Sequence, residues 1–194
     1  MSDIDIKDLI VESATKYFSR YGFHKTTMDE IAKHIHKAKG ILYYYFKSKE
    51  ELFNEVLKQE LNNVKTELSK ITGSDVDSLS MIKKYFLTRL KLLSTAVNYH
   101  ETLKADFFEQ YHFVKDVRDD FALFEYNQVN QMLKKSISEG RLDIKNREST
   151  VNAVLMLLKS IELPLYLQNK YPEYESTIEE IVTMVINSLK SYNK

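Results

Sequence analysis

The stretch TTMDEIAKHIHKAKGILYYYFKSKEELF, residues 26–53, organises the reading of this chain. It holds two capping boxes, Thr27 with Glu30 and Ser48 with Glu51. In each, a hydroxyl and a glutamate three residues on satisfy the unpaired N–H groups of a helix start. The boxes lie 21 residues apart and bracket two helices too short to stand alone. The first buries Ile31, Ala32 and Ile35; after a brief joint at His36-Lys37, the second runs roughly from Ala38 to Phe46. The box at Ser48 opens a long helix to about Lys70, with Leu52, Phe53, Val56, Leu57, Leu61, Val64 and Leu68 on one face. Upstream, Ile6, Leu9, Ile10, Ala14, Tyr17, Phe18 and Tyr21 mark an amphipathic helix. Asp3 or Asp5 can cap it, and Gly22 ends it.

The remainder extends the helical pattern. Four Gly and two Pro in 194 residues compare with about 23 in ordinary usage. A hairpin-rich sheet fold is hard to build from so few. Five further helices are predicted, at about 76–97, 101–113, 117–139, 147–170 and 174–192. Pro164 should kink the fourth, and Pro172 should mark the turn before the last. The fold class is all-α, about nine helices, with a three-helix unit at 1–49 and a larger helical domain at 50–194. With 43% hydrophobic and 29% charged residues the chain can bury a core, and without cysteine it has neither disulfides nor thiolate chemistry. The start, MSDIDIKDLI, is too acidic for a signal peptide. The apolar run at 151–167 is broken by Lys159 and Glu162, so no membrane span is expected and the location should be cytoplasmic.

The zero net charge conceals a segregation. Ser13 to Lys49 carries eight bases and two acids, +6, and the rest of the chain carries −6. Three of the five His also fall in the basic stretch. Such a footprint suits a phosphate backbone. Two short helices joined tightly on a longer one match the helix-turn-helix plan, whose second helix enters the major groove. At about 100° per residue, Leu42, Tyr45 and Phe46 point to the core; Gly40, Ile41 and Tyr44 point away, with Tyr43 on the flank. Gly40 within a helix costs about 1 kcal/mol, which close approach to DNA would justify.

Across residues 10–53 the residues Ala14, Phe18, Gly22-Phe23, Thr26-Thr27, Ile31-Ala32, Gly40, Leu42 to Phe46 and Lys49 to Phe53 closely resemble the DNA-binding domain of the tetracycline-repressor (TetR) family. The resemblance covers the first quarter to third of the chain. It implies that Thr27 meets a phosphate through its hydroxyl or a nearby N–H, and that Lys39, Gly40 and Ile41 face base edges. It also implies that Tyr43 donates to a phosphate and that Lys49 pairs with one, helped by its helix dipole. His36, Lys37 and the outward Tyr44 complete the candidate DNA contacts.

The turn departs from the family pattern. Where relatives usually have Ala-Gly-Val-Ser, this chain has Ile35-His36-Lys37-Ala38. His36 replaces the usual Gly, so the turn is strained or rerouted. Ala38 replaces the usual capping Ser, forfeiting about 1 kcal/mol. Ile41 can touch a thymine methyl but cannot hydrogen-bond a base.

The resemblance further implies a homodimer reading a palindromic operator, and a small-molecule effector held in the second domain. The last two helices carry broad apolar faces that suit a dimer interface: Val151, Val154, Leu155, Leu158, Ile161 and Leu165, then Ile178, Ile181, Val182 and Val185. An intrachain core would show the same pattern. Aromatic walls with a few polar groups suggest a pocket for an apolar or aromatic effector, from Phe86, Leu90, Phe107, Phe108, Tyr111, His112, Phe124, Asn127 and Gln128. Densely packed core aromatics would also look this way.

Catalysis finds little support. Glu109-Gln110-Tyr111-His112 is half of a di-iron motif without its second half. No Gly-rich phosphate loop occurs, and no catalytic residue, cofactor or metal is expected. The sequence therefore points to a DNA-binding transcriptional regulator, most simply a repressor. The alternative is a helical ligand- or partner-binding protein without DNA binding.

Overall fold

A computed structural model describes residues 3–104 and 112–191. Among the described residues every regular element is helical, and the chain divides into two compact units. The first comprises Met1–Asn62 and Ala96–Arg118, the second Asn63–Thr95 and Asp119–Lys194.

In the first unit, helices α1 (Asp3–Tyr21), α2 (Met28–His34) and α3 (Lys39–Tyr45) precede the long α4 (Lys49–Thr72). α1 buries Ile10, Val11, Ala14 and Phe18. It ends where the Gly22 N–H meets the Phe18 carbonyl at 2.8 Å, with Gly22 at φ 81, a conformation open to glycine at little cost. Phe18 and Phe23 then each pack edge to face on Phe53, with centroids 5.1 Å apart. This aromatic centre holds α1, the turn after it and α4 together.

One cut near residue 49 was expected, whereas this unit recovers a later segment. The short α6 (Val97–Glu101) has no capping side chain of its own. The Glu60 carboxylate of α4 supplies it, accepting the Tyr99 N–H at 2.7 Å and the Asn98 amide at 3.3 Å. Phe113 lies 5.5 Å from Phe23, and its carbonyl accepts the Asn54 amide at 2.8 Å. The helix expected at 101–113 falls mostly on 105–111, outside the described residues; a 3₁₀ turn at His112–Val114 leads on into the next helix.

The second unit contains the end of α4, α5 (Ser78–Ser94), most of α7 (Lys115–Ser138), α8 (Arg147–Ser160) and α9 (Tyr171–Ser191). Asp77 and Asn146 cap α5 and α8, accepting the Ser80 and Ser149 N–H at 3.1 and 3.0 Å. α9 packs on α5, and their shared core includes Ile82, Phe86, Leu90, Ile178 and Val182. Pro164 offers no N–H to Ser160, so α8 stops there and a π turn follows at Leu163–Leu167. Pro172 sits in the first turn of α9 rather than before it, where a missing N–H costs nothing.

Arg147–Leu167 is long and apolar enough to cross a membrane by length and composition alone, despite Lys159 and Glu162. Its Val151, Val154, Leu155 and Leu158 are buried within the unit, as befits a core helix. Glu162 is buried too, and accepts from Arg89 at 2.6 Å.

Candidate nucleic-acid interface

The α2–turn–α3 segment is built from local bonds. Thr27 caps α2: its hydroxyl oxygen accepts the Glu30 N–H at 3.3 Å, and Glu30 accepts the Thr27 N–H at 2.9 Å. The Thr27 hydroxyl also donates to Glu30 at 2.7 Å. These bonds hold the Glu30 carboxyl below its usual range. The hydroxyl of Thr27 and its own N–H are therefore both turned to Glu30. A phosphate there must displace that carboxylate or use the neighbouring N–H groups of the helix start.

α2 closes in a complete Schellman motif. The Lys37 N–H reaches the Ala32 carbonyl at 3.0 Å, and the His36 N–H reaches that of Lys33 at 3.1 Å. His36 takes the left-handed position at φ 54. The turn keeps the path that glycine would follow, at about 1–2 kcal/mol for a residue with a Cβ. Ala38 caps α3 without a side-chain bond. His36 is exposed and Lys37 half-buried.

α3 shows two opposed faces. Leu42 and Phe46 are buried, and Tyr45 is half-buried beside them. Opposite lie exposed Lys39 and Gly40, with Tyr44 79% exposed and Tyr43 43%. Ile41 is half-buried. A Cβ added at Gly40 meets nothing within 4 Å, so this glycine has no packing reason inside the chain. Lys39 Nζ lies 3.0 Å from Asp29 on α2 and 5.6 Å from the Tyr43 ring centre. Asp29 carried no signal in the sequence, because only the angle between α2 and α3 brings it to Lys39.

Lys49 opens α4 but folds back. Its Nζ donates to the Phe23 and Thr26 carbonyls at 2.8 and 3.1 Å, above the Phe23 ring at 4.4 Å. Burial pushes its ammonium below the usual lysine range. Glu51 modifies the second capping box: its N–H donates to Ser48 at 3.2 Å, while its carboxylate takes the Lys47 N–H at 2.7 Å.

This basic two-helix head coincides with the stretch, residues 10–56, that matches the model for bacterial regulatory proteins of the tetR family. Residues 10–56 are a TetR-family DNA-binding domain.

Relatives of the chain agree with this reading of its head. The HTH-type transcriptional regulator YhgD of Bacillus subtilis is 48% identical over 62 residues, a match spanning 32% of each chain. IcaR of Staphylococcus aureus, the HTH-type negative transcriptional regulator of the biofilm operon icaADBC, is 24% identical over 97% of this chain and 100% of its own. The solved structure of Bacillus subtilis FadR in complex with stearoyl-CoA matches with a TM-score of 0.73 at 15% identity, over 94% of this chain and 97% of that one. That last likeness concerns the fold alone. With that domain at its head, the chain is a DNA-binding transcriptional regulator.

The second unit redistributes the remaining candidates. Of the ten positions expected at a dimer interface, Val151, Val154, Leu155, Leu158, Leu165, Ile178 and Val182 are buried in the chain's own core. Ile161 and Val185 are half-buried, and Ile181 is exposed. An adjacent stripe is left open instead: Met156 and Leu157 on α8, Leu163 and Leu167 in the π turn, Tyr174, Ile181 and Met184 on α9. The chain satisfies its own apolar stripe first; helical spacing could not tell the two stripes apart.

Among the described residues, the effector candidates fall in separate surroundings. Phe86 and Leu90 line an apolar space of about 30 Å³, far below the roughly 300 Å³ a ligand needs. Phe124 stacks on Phe121 at 6.3 Å, with Lys65 Nζ 5.8 Å from its ring centre. Gln128 accepts the Thr72 hydroxyl at 2.5 Å, and Asn127 is exposed. His112 is exposed and belongs to the other unit. Phe107, Phe108 and Tyr111 lie outside the described residues. A groove of about 380 Å³ opens instead where the loop at Asp143–Asn146 meets α8 and the end of α9.

Proposed function

We propose that this chain is a repressor that binds a palindromic operator as a homodimer, works in the cytoplasm and is released by a small, apolar effector. The observation that carries this reading is α3: Leu42 and Phe46 are buried beneath it while Lys39, Gly40, Tyr43 and Tyr44 stand outward on a head of charge +6. Lys39, Gly40 and Ile41 would read base edges; Thr27, Tyr43 and Lys49 would meet phosphates, with His36, Lys37 and Tyr44 beside them. Two copies would place their α3 helices in successive major grooves, about 34–36 Å apart.

The open stripe of Met156, Leu157, Ile181 and Met184 supports dimerisation, since a soluble monomer gains nothing from exposing it. The name of IcaR as a negative regulator supports repression. The stearoyl-CoA held by the FadR neighbour supports an apolar effector. An effector acts by preferring one of two separations of the reading heads, lowering operator affinity by its differential binding. Native mass spectrometry of the freshly purified protein, followed by addition of any recovered compound to the operator complex, tests the effector. Release of the duplex is expected; a compound that binds and leaves operator affinity unchanged rejects that part of the proposal.

A further inference from the structure

We propose that Asp29 is a positioning residue for DNA recognition: by holding Lys39 at the start of α3 it keeps that lysine off the phosphates and so raises discrimination at the expense of affinity. The proposal rests on the reading of Lys39 as a base-facing residue. Lys39 Nζ is 3.0 Å from one Asp29 carboxylate oxygen and 3.2 Å from the other, a bridge from α3 back to the first turn of α2. On its other side the ammonium lies 5.6 Å from the Tyr43 ring centre. The hydrogen bond to Asp29, with its negative charge, holds the lysine above its usual range. Glu30 and Lys33 follow Asp29 along α2, and Lys37 precedes Lys39 in the turn.

A lysine is a compact charge on a flexible stem, and in a free choice it swings to whichever phosphate is nearest. Such a contact adds affinity for all sequences alike. Tethered between a carboxylate and an aromatic face, the same ammonium is confined to the front of α3. There it can donate to the O6 and N7 acceptors of a guanine. Asp29 itself repels phosphates, and it is one of two acids in a stretch with eight bases. An acid so placed weakens general attraction, an effect that makes sense only if selectivity is gained.

The test compares full-length wild type, Asp29→Asn, Lys39→Met and the double variant, titrated with the duplex selected by the wild type and with random duplex over a range of salt. Asp29→Asn should steepen the random-duplex salt slope by about 0.9, the value of one added phosphate contact. The ratio of selected to random affinity should fall about two- to fivefold, the range of an exposed ion pair. Asp29→Glu should largely restore both. In the Lys39→Met background, Asp29→Asn should lose these effects. If it acts equally with or without Lys39, or leaves slope and ratio unchanged, the proposal is overturned. A wild type that shows no selectivity among duplexes would reject the base-facing reading of Lys39 itself, and the proposal with it.

Discussion

The Arg89 guanidinium grips the Glu125 carboxylate through two of its nitrogens, and both side chains are sealed from solvent in the second unit. Glu162 takes a third bond from the same guanidinium at 2.6 Å and is 3% exposed. Burial opposes the charge on Arg89, but the two carboxylates outweigh it and hold the group well above its usual range.

Breaking this cluster from its centre leaves two buried carboxylates facing each other. Arg89→Met should cost about 3–5 kcal/mol, read as a lower urea midpoint. Glu162→Gln keeps a hydrogen-bond acceptor and removes one of two negative charges set against a single positive one. Its loss should stay under about 1 kcal/mol. An Arg89→Met protein as stable as wild type would show that the cluster contributes no specific support.

Glu60 gives a pH signature. Burial raises its carboxyl above the ordinary 4.5, outweighing the N–H groups of Tyr99 and Asn98 and the Asn98 side chain. A carboxyl raised in the folded state binds its proton more tightly there than in the unfolded chain. Its contribution is therefore most favourable below pH 4.5 and declines as pH climbs from 4.5 through the folded value. Thermal melts of Glu60→Gln against pH should lose that decline. Equal slopes in the two proteins would show that Glu60 does not titrate this way.

The proposed dimerisation separates the two apolar stripes. Met184 and Met156 are 69% and 72% exposed, so glutamate at either should leave the fold intact. The variants should run as monomers in light scattering, and operator affinity should fall about a hundredfold as the second reading head is lost. Val182→Glu, 3% exposed in the core, should unfold the protein instead. A Met184→Glu, Met156→Glu double variant that remains a dimer would place the interface elsewhere.

Lys49 has one observed role and one proposed role, with distinct readouts. Lys49→Met loses the bonds to the Phe23 and Thr26 carbonyls, which should lower stability by about 1 kcal/mol. As a phosphate contact it should also weaken binding to every duplex and flatten the salt slope by about 0.9. A lower melting temperature with an unchanged slope would leave Lys49 a strut of the head and remove it from the interface.

The helices were legible because their signals are local. Thr27 with Glu30 reads as a cap from four consecutive residues, and Leu42 with Phe46 reads as a buried face from spacing alone. The left-handed turn at His36 was legible only as a conflict between residue and position. What stayed hidden depends on partners distant along the chain. Nothing near Arg89 announces that its carboxylates lie 36 and 73 residues away. Ile181 and Val182 are neighbours of similar hydrophobicity, and only packing decides which faces inward. Space for a ligand is a remainder after packing, which helical spacing does not encode.

The reading head is tested most directly by selecting from random duplexes with the purified wild-type protein at low salt. The expected yield is one enriched palindrome, its half-sites about one helical turn apart, bound more weakly as salt rises. A pool that emerges with no enriched sequence would mean that α3 reads no bases.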